Sequence, residues 1–150
     1  MTSTVAIVGG NGQIARMLTE LLVDEGSAVR SIVRNAEQVD SLRELGAEPV
    51  VCDLEQAATT ELAGALSGCD AVVFAAGAGP GSGATRKHTV DFEGSVKSMR
   101  TAVEAGVTRF VQISFIGAED PVPTGTDEVF AAYWDAKRAA DEALREEALD

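Results

Sequence analysis

Tyr133 and Lys137 stand four residues apart in Tyr133-Trp134-Asp135-Ala136-Lys137, so on a helix they share one face. A phenol beside an ammonium can exchange a proton with a carbonyl or an alcohol, because the cation favours tyrosinate and lowers the phenol's pKa. The same lysine can hold a ribose hydroxyl, which suits the pair to the proton half of a hydride transfer. An amphipathic surface helix carrying Arg138, Asp141, Glu142 and Arg145 is the competing reading of this segment. Tyr133 is the only tyrosine of the chain.

Hydride transfer needs a nucleotide, and the N-terminal residues offer a place for one. Thr4-Val5-Ala6-Ile7-Val8 is an apolar run suited to a buried strand, and Ile14, Leu18, Leu21 and Leu22 recur at the spacing of one helix face. Between them lies Gly9-Gly10-Asn11-Gly12-Gln13-Ile14-Ala15. Two registers fit a dinucleotide fingerprint, Gly9-x-x-Gly12-x-x-Ala15 and Gly10-x-Gly12-x-x-Ala15, each ending in a residue small enough for close helix packing. Gly9, Gly10, Asn11, Gly12, Gln13 and Ile14 are therefore the expected pyrophosphate turn, with the helix N-terminus favouring the negative charge.

The second strand, about Ala28 to Val33, ends in Arg34-Asn35, where an NAD site would usually present an acid to the ribose. Arg34 is suited to a 2′-phosphate instead, so NADP(H) is the expected cofactor, with NAD(H) as the alternative. A solvated arginine at a strand end, with Arg30 or a later residue in that role, is the competing reading. The third strand, Glu48 to Cys52, leads to Asp53-Leu54 at the edge where adenine should lie.

The remaining pattern alternates helix and strand: a helix at about Glu37 to Leu45, another at about Thr59 to Ser67, strand four at Ala71 to Ala76, a helix at about Phe92 to Ala105, strand five at Arg109 to Ser114 and a last helix at about Phe130 to Glu147. Such alternation predicts an α/β, Rossmann-like, doubly wound parallel sheet in a three-layer αβα arrangement, with strand order 3-2-1-4-5. The cofactor should cross between strands one and four, where Ala75, Ala76 and Gly77 would let backbone approach ribose or nicotinamide; close packing explains the same small residues. Long loops at Gly77 to Arg86 and Gly117 to Asp127 leave the same edge and are candidates for a substrate pocket or for flexible turns. The sole histidine, His88, is expected at the surface or a helix start.

Residues 1–150 read as one domain of ordinary hydrophobic content, and the net charge of −12 opposes nucleic acid or an anionic membrane. No apolar segment approaches a membrane span and the amino terminus lacks a signal peptide's basic flank, so a cytoplasmic protein is expected. Cys52 and Cys69 form no metal or disulfide pattern and are expected as small core residues.

Taken together, Gly9 to Ala15, Val33-Arg34-Asn35, Asp53-Leu54, Val73-Phe74-Ala75-Ala76-Gly77, Ile113-Ser114-Phe115-Ile116-Gly117-Ala118 and Tyr133-x-x-x-Lys137 with Arg138-Ala139-Ala140-Asp141 resemble the short-chain dehydrogenase/reductase superfamily, in its atypical, NmrA-like NAD(P)-binding branch. The resemblance spans nearly the whole chain. It implies that the glycine turn holds pyrophosphate, Arg34 meets the adenosine phosphate, Asp53 and Leu54 flank adenine, Lys137 reaches ribose and Tyr133 donates a proton. Where the family often reads Ser-Ser-Ile-Gly, Phe115 replaces the second serine, leaving Ser114 as the candidate that orients substrate.

Proteins of this kind continue beyond the equivalent of Leu149-Asp150 into a sixth strand and the segments that close the substrate pocket. The expectation is thus a nucleotide half without most of a substrate half; if 150 residues are the native product, strand five becomes an exposed edge and the last helix lacks packing surface, a defect homodimerisation could cover, and a truncated or shortened chain or a subunit completed by a partner is left open. Function is read as hydride transfer to or from a small carbonyl or alcohol substrate in an NADP(H)-binding oxidoreductase or epimerase-like protein. The alternative is a non-catalytic NAD(P)-sensing regulator with a protein partner.

Overall fold

In the computed structural model, which describes residues 2–150, strand β1 (Thr4–Val8) pairs in parallel with β2 (Ala28–Val33) on one side and β4 (Ala71–Phe74) on the other. Val8 is thereby registered against both Ile32 and Phe74. With β3 (Glu48–Val51) beside β2 and β5 (Arg109–Gln112) beside β4, the sheet is all parallel in the order β3-β2-β1-β4-β5. A central strand in such a sheet is covered on both faces, which is why β1 and β4 are apolar without alternation.

Each face has its own core. Val8, Ile32 and Phe74 meet Leu62 and Leu66 of α3 (Thr59–Leu66) and Met99 of α5 (Ser95–Glu104). Ile7, Val29 and Val73 meet Ala15, Leu18 and Leu22 of α1 (Gln13–Asp24) on the other. The second helical region of the sequence begins as a short 3₁₀ turn, Ala36–Gln38, and continues as α2 (Val39–Glu44), which buries Leu42. Among the described residues, no helix is long and apolar enough to cross a membrane.

Four details depart from the sequence expectation. Ile14 and Leu21 do not face the core: they are 56% and 62% exposed, while Ala15, Leu18, Thr19 and Leu22 form the inner face of α1. The turn at Gly9 to Gly12 fixes the helix phase through Ala15, and the larger apolar residues then fall on its outer flank. Second, β3, β4 and β5 each end one or two residues early, yet Cys52 N, Ala75 N and Ile113 N still bond across to Val33 O, Val8 O and Phe74 O at 2.8, 2.9 and 3.0 Å.

Third, the segment expected as a helix from Phe92 is helical from Ala84. It runs as α4 (Ala84–Arg86), a π-helical stretch (Lys87–Gly94) and α5, so the loop after β4 ends at Gly83. Lys87 and Asp91 point inward here, and buried charges hid the apolar periodicity. Exposed His88 pairs with Glu93 at 3.2 Å, a surface role as expected. Fourth, the edge of β5 is partly covered. Asp150 N donates to Thr108 O at 2.7 Å and Phe110 N donates to Asp150 O at 2.8 Å, a parallel bridge, while α6 (Glu128–Glu146) and Leu149 pack onto the core.

Candidate functional site

The carboxyl ends of β1, β2, β3 and β4 open into a cleft of about 260 Å³. One end of it is the turn between β1 and α1. Gly9 has φ +80°, and a Cβ there would lie 2.5 Å from Ala76 Cα, so this position excludes any side chain. A Cβ on Gly10 would meet Ser31 Cβ at 2.6 Å, which explains why Gly10 is buried below the turn and does not line the cleft. Gly12 differs. Its extended backbone suits any residue and a Cβ would be no nearer than 3.4 Å to Gly9 O, so what its missing side chain provides is open space in the cleft. Gly12 is also the N-cap of α1 without a side-chain cap, leaving first-turn N–H groups for an anion.

Asn11, Arg34, Asp53, Leu54, Ala75, Ala76 and Gly77, all named from the sequence, line this cleft. Gln13 and Ile14 do not; both are exposed on the first turn of α1, where backbone N–H groups are the available donors. Arg34 is exposed at the end of β2 and forms no salt bridge among the described residues. Asp53 accepts from Glu55 N at 2.9 Å, which shapes the loop after β3 at the edge of the cleft.

Tyr133, Lys137 and Ser114 lie outside the lining of this cleft, grouped where α6 crosses the end of β5. Lys137 is 4% exposed, its Nζ donating to Ile113 O at 2.7 Å and lying 5.8 Å from the Phe74 ring centre. Burial pulls its pKa below the usual lysine range, against the raising pull of Asp91 and Asp141. The phenol of half-buried Tyr133 is pushed up, first by burial and then by Asp91 and Asp141. The expectation that Lys137 lowers the phenol's pKa is therefore overturned: its ammonium is held by a carbonyl and the charges that act on Tyr133 are carboxylates. Phe115, in the place of a serine, stacks on Tyr133 at 5.6 Å and 22°. Ser114 Oγ donates to Asp141 Oδ2 at 2.5 Å, so its proton is committed and its lone pairs remain for a substrate donor.

An open glycine turn, an uncapped helix start and a small-residue wall at the switch between β1 and β4 fit a dinucleotide. The family model for NAD(P)H-binding proteins matches residues 9–150. The chain belongs to this NAD(P)H-binding family. The domain is similar to the uncharacterized sugar epimerase YhfK of Bacillus subtilis, 36% identical over 146 residues that make up 97% of this chain and 67% of that protein. It is also similar to the UPF0659 protein YMR090W of Saccharomyces cerevisiae, 38% identical over 97% of this chain and 65% of that one. A solved structure from Bacillus halodurans, provisionally described as an NAD-dependent epimerase/dehydratase, superposes with TM-score 0.88 at 38% identity, covering 99% of this chain and 67% of that one. The NAD(P)H-binding chain thus spans about two thirds of the length of these relatives.

Several residues of this NAD(P)H-binding site were not legible in the sequence. Arg16 Nη1 donates to Asn11 Oδ1 at 3.1 Å and Ser41 Oγ at 3.2 Å, pinning the glycine turn to α2. Arg86 lines the cleft and pairs with Glu55 at 2.8 Å, while Thr89 Oγ1 donates to the other Glu55 oxygen at 3.1 Å. Asp91 and Lys87 are buried beside Tyr133 and the cleft wall. A charged pair four residues apart, Lys87 and Asp91, was the one available signal.

Proposed function

We propose that this chain is the nucleotide-binding part of an NADP(H)-dependent oxidoreductase or epimerase-like enzyme acting on a small carbonyl or alcohol. The observation that carries the reading is the pairing of an open dinucleotide cleft with Tyr133 and Lys137 at the same carboxyl edge of the sheet. Bound NADP(H) supplies or accepts the hydride. The glycine turn and the α1 N-terminus hold its pyrophosphate, and free, permanently charged Arg34 meets the 2′-phosphate. No acid stands at the end of β2 to favour NAD(H).

Tyr133 carries its proton at neutral pH, because burial and two nearby carboxylates oppose ionisation. In carbonyl reduction the Tyr133 hydroxyl then gives its proton to the substrate oxygen as that oxygen gains negative charge. Lys137, fixed by Ile113 O, keeps further N–H donors for a ribose hydroxyl. The YhfK relative bears the name of a sugar epimerase, which supports a carbonyl or alcohol carbon as the reacting centre. The test is a screen of small ketones, aldehydes and sugar alcohols with NADPH, wild type against Tyr133→Phe. Turnover lost in the variant supports the reading; equal turnover in both overturns the proton role.

A further inference from the structure

The phenol of Tyr133 lies among aromatic side chains that take no part in the lining of the cofactor cleft. Phe115, from the loop after β5, stacks on it with ring centres 5.6 Å apart and meets Trp134 edge-on at 5.1 Å. Phe130, three residues before Tyr133 on α6, lies 5.9 Å from Tyr133 and 6.0 Å from Trp134, so the four rings close a circuit. Trp134 Nε1 donates to Asp120 O at 3.0 Å, which pins the loop after β5 to α6 and fixes the rings. The circuit is not buried. Phe130 is 48% exposed, Val129 is exposed and Ile116 fully so. Apolar groups left in water beside the phenol gain from being covered by a flat apolar molecule, through both desolvation and stacking.

Charge along these segments has one sign. From residue 110 to residue 136 the chain carries Glu119, Asp120, Asp127, Glu128 and Asp135 and no lysine, arginine or histidine. The N-terminus of α6 would otherwise attract an anion, but Asp127 caps it, accepting from Phe130 N at 2.9 Å, and Glu128 stands in its first turn. In α4 and the π-helical stretch, which pack on α6, Arg86 pairs with Glu55 at 2.8 Å, Lys87 Nζ donates to Gly79 O at 2.8 Å and His88 pairs with Glu93. Lys137 Nζ donates to Ile113 O, and Arg138 pairs with Asp135 at 3.0 Å. Each of these cations is thus already held by a carbonyl or a carboxylate. A phosphorylated or nucleotide-linked sugar would bring negative charge to a place where acids repel it.

We propose that the substrate of this site is a flat aromatic carbonyl compound without negative charge, resting on the exposed side of the ring circuit with its carbonyl oxygen at the Tyr133 hydroxyl. The proposal rests on the reading that Tyr133 gives its proton to a carbonyl oxygen. The rings hold the aryl group and the acids turn away anionic competitors, so selectivity comes from attraction and repulsion together.

Binding can be read without turnover. In the chain saturated with NADP+, a ketone meets oxidised cofactor and cannot be reduced, and ligand-observed NMR gives the dissociation constants of para-methylacetophenone, para-acetylbenzoate and UDP-glucose. The first two differ only by a methyl against a carboxylate. The neutral ketone should bind at least about tenfold tighter than either anion. Phe130→Ala should weaken the neutral ketone by about fivefold to tenfold at unchanged far-ultraviolet circular dichroism, the value of one lost aromatic contact.

Equal or tighter binding of para-acetylbenzoate or UDP-glucose overturns the proposal. So does binding of none of the three, which would leave the rings to a polypeptide partner, and so does unchanged ketone binding in folded Phe130→Ala. Should that variant not fold, the comparison of the three ligands decides alone; should NADP+ not bind, the same titrations of the unliganded chain decide. None of these readouts involves turnover, so their failure is separate from a failure of the proton role, which Tyr133→Phe tests.

Discussion

Gly9 and Ala76 meet so closely that a Cβ on Gly9 would lie 2.5 Å from the Ala76 Cα. The contact joins the turn after β1 to the segment after β4 at the point where the strand order reverses. Since φ at Gly9 is also +80°, Gly9→Ala combines backbone strain with overlap and should cost about 2–4 kcal/mol of stability, read from a denaturant midpoint.

Gly12 gives the opposite outcome. Its backbone suits any residue and its missing side chain is open to the cleft, so Gly12→Val should leave the melting temperature within a few degrees. NADPH binding should fall by at least about a hundredfold, because the branched side chain occupies the approach of the pyrophosphate. Calorimetry on the two proteins checks both halves.

Arg34→Ala should weaken NADPH binding by about tenfold to a hundredfold, the value of charged hydrogen bonds to a phosphate, and leave NADH binding unchanged. Parallel loss for both nucleotides would assign Arg34 to the fold of the turn and not to the 2′-phosphate.

The raised pKa of Tyr133 sets the sign of two pH effects. Carbonyl reduction needs the protonated phenol, so its rate should hold through neutral pH and fall on the alkaline side, above the usual tyrosine value of 10.0. Between 10.0 and the raised value the folded chain binds more protons than the unfolded one, so stability falls with rising pH across that window. Tyr133→Phe should lose that component of the alkaline stability decline, as thermal melts at several pH values would show.

Asp141 accepts from Ser114 Oγ at 2.5 Å and Gln112 Nε2 at 2.8 Å, and Gln112 also receives Ser95 Oγ. Asp141→Ala leaves these partly buried groups without their partner and should destabilise the chain by about 2–3 kcal/mol, measured by urea unfolding.

The topology was legible in the sequence because strands buried on both faces are continuous apolar runs separated by glycine turns, as at Val5 to Gly9. Most of the cleft was legible for a related reason: Gly9 and Arg34 follow strand ends directly, and Gly12, Asp53 and Ala76 lie in the short turns just beyond them. The misread parts required tertiary information. The phase of α1 is set by the turn, which turns Ile14 and Leu21 outward despite their hydrophobicity. Lys87 and Asp91 fall between the loop and the helix of the sequence reading, and their burial depends on the packing of α6 and α5 against their stretch. Lys137 spacing placed it near Tyr133, but the carbonyl of Ile113 that captures its ammonium lies 24 residues earlier in the chain.

The most direct test of the account is calorimetric titration of the chain with NADPH and, separately, NADH. Tight NADPH binding with NADH weaker by about tenfold or more is the predicted result, since the role proposed for the Arg34 guanidinium is to meet a 2′-phosphate that NADH lacks. Equal affinity for the two nucleotides would contradict the assignment of Arg34, and binding of neither would contradict the cofactor site itself.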